Sequence, residues 1–142
     1  MKPNPLSCLL SALLLTAFNS PQADAATASH WQCQNKDLEI TCNADKCSQS
    51  EAFTPLQLTV QQQGQQARLQ ICAYSGCWSG QAQGFIAGSH LFFSARQLAW
   101  QGVGQNPADF ALVLDRRDHI ALLKGAGFAL PLTCTRGTAR KD

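Results

Sequence analysis

Charged residues are scarce in this sequence of 142 residues. Lys, Arg, Asp and Glu together make up 14 % of it, and the formal net charge is +2. A protein that binds nucleic acid through the phosphates needs a strongly basic surface, so this composition argues against that class. The chain is also 45 % hydrophobic, which argues against a disordered protein. We therefore expect a folded domain with no nucleic-acid partner.

Long apolar runs are missing beyond the N-terminus. No later run approaches the roughly 18 residues of a transmembrane helix. The run Leu6–Phe18 follows Met1-Lys2 and precedes Ala23-Asp24-Ala25, the arrangement of a secretory signal with a small-x-small cleavage site. The sequence thus predicts a signal peptide over residues 1–25 and a periplasmic or secreted protein. One domain over residues 26–135 and a basic tail over residues 136–142 would remain.

Cysteine is plentiful, with seven residues, and Cys8 lies within the predicted signal. Six cysteines in a small exported domain are typical of three disulfides, although their number alone leaves many pairings open. Two pairs share the spacing Cys-x4-Cys, and a third pair brackets the domain. The predicted bridges are Cys42–Cys47, Cys72–Cys77 and Cys33–Cys134. Structural zinc is the alternative, but its usual ligand spacing differs, so we expect no metal and no cofactor.

Helical periodicity is absent from the predicted domain, and short alternating segments bounded by turn residues recur instead. With so many antiparallel strands, a closed barrel or a two-sheet sandwich limits the exposed edges. We predict an all-β fold, a small antiparallel barrel or sandwich of about eight or nine strands. The candidate strands cover residues 38–42, 56–60, 67–72, 78–83, 90–95, 98–101, 110–114, 120–123 and 131–134.

Two of the predicted strand pairs form hairpins. In the first, residues 56–72, the glutamine-rich stretch Gln61–Gln66 is interpreted as the connecting loop. In the second, residues 110–123, two apolar runs flank the charged turn Asp115–Asp118. Because these runs lack polar alternation, we expect them at the centre of the sheet, with both faces buried or with small alanines outside.

The segment Cys72–Gly80 is the candidate binding site, as a loop that its own disulfide would hold rigid. Aromatic side chains give large contact area at little entropic cost, and a rigid loop loses less entropy on binding. The predicted contact residues are Tyr74, Ser75, Gly76 and Trp78. The alternative is structural, with Trp78 filling the end of the barrel and Tyr74 covering an edge.

Evidence for catalysis is weak. Ser75-Gly76-Cys77-Trp78 resembles the nucleophile segment of papain-type proteases, but a disulfide at Cys77 leaves no thiolate. Asp115, Asp118 and His119, with Asp109 nearby, could suggest a hydrolase, whereas a charged turn explains them more simply. We expect no enzyme activity and assign no catalytic residue.

Two other functions remain open. The interior, lined by residues such as Phe92, Trp100 and Phe110, could hold an apolar ligand, either in a binding barrel or in a small hydrolase. The protein could also be a structural component of the cell envelope without a binding partner or catalytic activity.

The motif Cys-Ala-Tyr-Ser-Gly-Cys-Trp at residues 72–78, together with Trp31-x-Cys33 and Pro131-Leu-x-Cys134, resembles a group of small exported proteins of Gram-negative bacteria. Ser75-Gly76 and the terminal cysteines are also similar to the periplasmic inhibitors of C-type lysozyme. That similarity implies a small barrel that inserts a Ser-Gly loop into an enzyme cleft. In that family a basic residue and a tyrosine follow the glycine, where this chain has Cys77 and Trp78.

These observations predict a monomeric, exported binding protein. Its expected partner is a cell-wall hydrolase or another exported enzyme, which it would inhibit. The contact is expected to be the 72–80 loop, where a donor such as Ser75 could form charge-assisted hydrogen bonds with carboxylates of the enzyme.

Overall fold

A computed structural model describes residues 28–36, 38–50 and 54–137 of the chain. The predicted signal and residues 138–142 of the predicted tail lie outside the described residues. The described residues form strands and no helix. The strands are β1 Ala28–Gln34, β2 Ile40–Cys42, β3 Cys47–Gln49, β4 Gln57–Gln63, β5 Gln66–Ala73, β6 Gly76–Ala87, β7 His90–Gly102, β8 Ala108–Asp115, β9 Ile120–Gly125 and β10 Phe128–Gly137.

Eight of these strands close into an antiparallel barrel. Their order is β1, β4, β5, β6, β7, β8, β9 and β10, and β10 pairs again with β1. The predicted all-β barrel is therefore confirmed, and the sandwich alternative is wrong. In one direction, the pairings from Gln34 lead to Gln101 of β7. In the other direction, Gln34 pairs with Thr133, and the pairings of the adjacent Leu132 lead to Leu91 of β7. This offset means that the strands are strongly tilted, as closure of a small barrel requires.

Side-chain alternation separates the inside of the barrel from the outside. The interior is packed with apolar residues from every barrel strand, and the largest buried side chains include Trp31, Trp78 and Leu112. Burial of each such side chain stabilises the fold by about 1.5–3 kcal/mol. The barrel therefore has a filled core.

Disulfides fasten the barrel and its appendage. Cys33 and Cys134 are register partners on β1 and β10, and their bond crosses the seam where the barrel closes. Cys72 bonds to Cys77 across the β5–β6 hairpin, and Cys42 bonds to Cys47 across β2 and β3. All three bonds are the predicted ones. Disulfides in a small protein are compatible with an oxidising, exported location.

Strands β2 and β3 form a small arm outside the barrel wall. Thr41 pairs with Phe128 of β10, and the N–H of Cys42 donates to the carbonyl oxygen of Gly127. Below the arm, the buried Glu39 accepts a hydrogen bond of 2.7 Å from the N–H of Thr54. The arm is thus attached at the same end of the barrel as the β9–β10 turn.

The glutamine-rich stretch differs from its predicted loop. Residues up to Gln63 continue β4, β5 begins at Gln66, and only Gly64 and Gln65 form the turn. The side chain of Gln62 points inward and is buried. Its amide accepts a hydrogen bond of 2.9 Å from the Ser29 hydroxyl and donates one of 2.9 Å to the Gly64 carbonyl oxygen, so its polar atoms are satisfied. Its neighbours Gln61 and Gln63 face solvent, so the stretch alternates like any other strand.

Other strand boundaries also differ. The segments predicted as 90–95 and 98–101 are one strand, β7, interrupted by a bulge between Ala95 and Leu98. Strands β1 and β3 were missing from the prediction. Arg136 and Gly137, predicted to begin the tail, belong to β10 and pair with β1.

The apolar hairpin of β8 and β9 was also misplaced. A closed barrel has no central strands, and the outer sides of β8 and β9 face solvent. The outward residue Leu122 is 59 % exposed, so the expectation of burial on both faces is wrong. The alternative, small alanines on the outer side, holds on these two strands only for Ala111.

Candidate partner-binding site

The candidate loop is a two-residue turn, because β5 continues to Ala73 and β6 begins at Gly76. Tyr74 and Ser75 form the turn, and the Tyr74 side chain is 75 % exposed. The Cys72–Cys77 bond lies next to the last strand pair, Ala73 with Gly76. This places a rigid base directly beneath an exposed aromatic side chain.

Trp78 lies inside the barrel and is 1 % exposed. Its ring packs on Trp100 with centroids 4.3 Å apart and on Phe110 at 5.4 Å, and its Nε1–H donates to the Asn106 carbonyl at 2.9 Å. A side chain this buried has no surface to offer a partner. The structure therefore places Trp78 in the core rather than among surface contacts, and contact through Tyr74, Ser75 and Gly76 stays a prediction.

A second exposed loop lies beside this turn. Gly102, at the end of β7, is paired with Gly76. A Cβ atom added to Gly102 would overlap the carbonyl oxygen of Ser75, and one added to Gly76 would overlap the carbonyl oxygen of Gln101. Val103 follows Gly102 and is 84 % exposed. The two glycines thus let the turn and the β7–β8 loop approach closely, and we call residues 74–76 with 102–104 the tip.

The tip is electrically neutral. Residues 73–80 and residues 97–108 contain no Asp, Glu, Lys or Arg. The tip presents one aromatic, one aliphatic and one hydroxyl side chain, which suits a partner surface with an apolar pocket and a hydrogen-bond acceptor. The β7–β8 loop is anchored at Asn106, whose carbonyl oxygen accepts the hydrogen bond from Trp78.

Val103 was absent from the predicted site. The sequence signal is modest: a lone aliphatic residue lies between Gly102 and Gly104 in a stretch that ends in Asn106-Pro107. Periodicity does not bring residue 103 next to residue 75, because that proximity depends on the register of β6 against β7.

The Asp115–His119 segment is a turn whose polar groups bond to one another and to the neighbouring hairpin. Asp115 accepts from the Arg117 N–H at 2.9 Å, and Asp118 accepts from the Ile120 N–H at 2.8 Å. The bond from Arg117, with help from Ser89 and His90, holds the pKa of Asp115 below its usual range. His119 contacts the Trp31 ring instead, at 5.4 Å between centroids.

Asp109 is separate from these groups, at the opposite end of β8. Its carboxylate accepts from the backbone N–H of Gln97 at 2.7 Å and from the Gln97 amide at 3.2 Å. The backbone bond is the main reason why the pKa of Asp109 is below its usual range. The imagined cluster of carboxylates is therefore not assembled, and Asp109 stabilises the bulge of β7.

A serine, a histidine and an aspartate do meet at the β6–β7 turn. His90 Nε2 lies 3.3 Å from Asp115 Oδ2, and Ser89 Oγ lies 3.5 Å from His90 Nδ1. Ser89 also bonds to Asp115 directly, and Arg116 donates to the carbonyl oxygens of Gly88 and Ser89. These contacts join two neighbouring turns and give the group a structural explanation.

Phe92, Trp100 and Phe110 were predicted to line an interior ligand space, but one of them lies outside the barrel and two lie inside. Phe92 lies outside, where it stacks on Phe85 with centroids 4.7 Å apart and an interplanar angle of 9°. Trp100 and Phe110 lie inside and pack against Trp78. A concave region of about 460 Å³ lies on the outer side of the wall, where residues that include Gln66, Gln83 and Arg96 line it, and neither Trp100 nor Phe110 contributes to it.

Within the described ranges, no helix is long and apolar enough to cross a membrane. The same part of the chain contains no group of three or more His, Cys, Asp or Glu side chains placed to hold a metal ion. No family model, no curated protein and no solved structure matches this chain. The tip geometry therefore carries the functional argument alone.

Proposed function

We propose that the protein is an exported, periplasmic binding protein that contacts its partner through the tip. The observation that carries this proposal is the exposed Tyr74 on a two-residue turn next to a disulfide. A contact surface that is rigid before binding loses little conformational entropy on association. A tyrosine at its apex is a residue type that is enriched among the residues that dominate binding energy.

The class of partner we propose is an enzyme of the cell envelope, with a cell-wall hydrolase as the first candidate. Ser75 supplies a hydroxyl at the apex, and a hydroxyl that donates to a carboxylate in a cleft without water forms a strong, charge-assisted bond. The Ser-Gly turn and the Cys33–Cys134 closure are the features shared with inhibitors of C-type lysozyme. The role we assign is inhibition by occupation of the substrate cleft.

An inhibition titration tests this role. The oxidised protein is added to a C-type lysozyme and to other cell-wall hydrolases, and the residual activity is measured. We expect a stoichiometric end point for the target enzyme and at least a tenfold weaker effect for Tyr74→Ala, since truncated hot-spot residues commonly cost that much. Thr59→Ala, on β4 and outside the tip, is the matched control. Equal inhibition by Tyr74→Ala and the unmodified protein would refute the tip as the contact.

Ionic strength provides a second readout of the same contact. Because the tip carries no charge, its association is steered little by long-range fields. We expect the association rate to change by less than about threefold between 50 mM and 500 mM salt, whereas steered complexes change much more. A steep fall with salt would place the contact on a charged part of the surface instead.

A further inference from the structure

Two of the three disulfides have the same spacing in the chain but different surroundings. Cys42–Cys47 and Cys72–Cys77 each have a sequence separation of 5, and each joins register partners of a hairpin. In the chain-entropy model, closing either loop therefore restricts the unfolded chain by the same amount. A difference in how readily the two bonds are reduced must come from the folded protein around them.

The Cys72–Cys77 bond is built into the barrel wall. Cys77 lies on β6, which pairs with β5 on one side and with β7 on the other. Next to the bond in the chain are Ile71, which is 0 % exposed, and Trp78, which is 1 % exposed. Opening this hairpin would expose part of the core, so the fold protects the bond.

The Cys42–Cys47 bond lies on the arm, away from the core. Cys47 is exposed, as are the other residues of β3, and β3 is the last strand of the sheet. Among the described residues, the core cluster takes none of its members from β2 or β3. A segment with so few buried apolar contacts opens at little cost in free energy. A thiolate from outside can therefore reach the sulfur of Cys47.

We propose that Cys42–Cys47 is a redox-active disulfide that a protein dithiol reduces, while the other two bonds are structural. One thiolate of the dithiol attacks the sulfur of Cys47 and forms a mixed disulfide, and Cys42 leaves as a thiolate. The second thiolate of the dithiol then attacks its own partner's sulfur, which releases Cys47. Two electrons pass from the dithiol, which becomes a disulfide, to Cys42 and Cys47. These two cysteines take up the two protons that the dithiol loses.

The turn of the arm is held by hydrogen bonds that do not depend on the disulfide. The side-chain oxygen of Asn43 accepts bonds of 3.0 Å from the N–H groups of Asp45 and Lys46, and the Asn43 N–H donates to the Lys46 carbonyl oxygen at 3.0 Å. We therefore expect the two thiols of the reduced protein to stay opposite each other. The pair can then be oxidised again to the same bond.

This redox site goes beyond the proposed function, and it consists of residues different from those of the tip. The two proposals can therefore fail independently. Tyr74→Ala is expected to leave the reduction of Cys42–Cys47 unchanged.

Titration with dithiothreitol under native conditions compares the bonds within one molecule. Free thiols are alkylated after each step, and mass spectrometry of tryptic peptides locates them. Trypsin cleaves after Lys46, so Cys42 and Cys47 are measured on separate peptides. We expect both to be alkylated at a dithiothreitol concentration about tenfold or more below that needed for Cys72 and Cys77. Equal or greater sensitivity of Cys72–Cys77 would overturn the proposal.

Thioredoxin, coupled to its reductase and NADPH, serves as the protein dithiol in a second test. We expect the unmodified protein to consume about one equivalent of NADPH, because one disulfide is reduced. The Cys42→Ser/Cys47→Ser variant is expected to consume none, and the matched Cys72→Ser/Cys77→Ser variant about one. Circular dichroism checks that both variants are folded. No consumption by the unmodified protein, or unchanged consumption by the folded Cys42→Ser/Cys47→Ser variant, would refute the assignment.

Discussion

At the scale of single residues, neighbouring aromatic positions have different tasks. Tyr74 and Trp78 are four residues apart in one motif, but the turn after Ala73 exposes the first while the alternation of β6 buries the second. Alternation is a property of strands, and Trp78 was predicted both to begin a strand over residues 78–83 and to belong to the 72–80 contact loop. The motif can be recognised in the sequence. The direction of each side chain, however, depends on where β6 begins, which is at Gly76.

This division predicts opposite mutational effects. Trp78→Ala removes a large side chain packed against Trp100 and Phe110, and it is expected to lower the free energy of unfolding by about 3–5 kcal/mol. Tyr74→Ala is expected to change it by about 0.5 kcal/mol or less, since the side chain is mostly exposed. Urea denaturation of the two variants measures both values. Similar losses in the two variants would mean that Tyr74 has a structural role that its exposure does not indicate.

At the scale of elements, the predictions based on spacing were the most accurate. The three disulfides follow from equal Cys-x4-Cys spacing and from the outermost pair, and each bond joins register partners. The glutamine-rich stretch was mistaken for a loop because glutamine lacks a hydrophobic pattern. The side chain of Gln62 points inward, and it can be buried there because two hydrogen bonds satisfy its amide group. The bulge in β7 was hidden because no sequence pattern marks it.

The disulfides are expected to differ in their effect on stability. Loss of Cys33–Cys134, with a sequence separation of 101, frees a long loop in the unfolded chain and is expected to cost about 5 kcal/mol. Loss of Cys72–Cys77, with a separation of 5, is expected to cost about 2 kcal/mol. Paired Cys→Ser variants in urea denaturation test this order. The reverse order would show that native contacts, rather than unfolded-chain entropy, set the effect.

The β7 bulge makes the barrel sensitive to acid. Because the N–H of Gln97 lowers the pKa of Asp109 in the folded protein, the ionised carboxylate stabilises the fold above the unfolded pKa of about 3.9. That stabilisation is lost as the pH falls through the lowered folded pKa. Asp109→Ala is therefore expected to show a weaker loss of stability below about pH 4 than the unmodified protein. Identical pH profiles would contradict this role for Asp109.

At the scale of the whole molecule, the barrel separates three surfaces. The tip is neutral, and glutamines such as Gln32, Gln61 and Gln70 cover the outer side of β1, β4 and β5. A row of register partners with apolar side chains crosses the outer side of β6 to β10, namely Phe85, Phe92, Val113, Leu122 and Pro131. The sequence predicted the barrel and the tip motif, because alternation and cysteine spacing are local. It did not predict this row of apolar side chains or the proximity of Val103 to the turn, because both depend on the register between paired strands.

Site-specific photo-crosslinking tests the central claim, partner binding at the tip, most directly. A photoreactive phenylalanine replaces Tyr74 in one variant and Gln61, an exposed residue of β4, in a second variant. Both variants are exported, oxidised and irradiated in the envelope. We expect a crosslink to one enzyme of the envelope from position 74 and none to that enzyme from position 61. The same crosslink from both positions, or none from position 74 while position 61 reacts, would contradict binding at the tip.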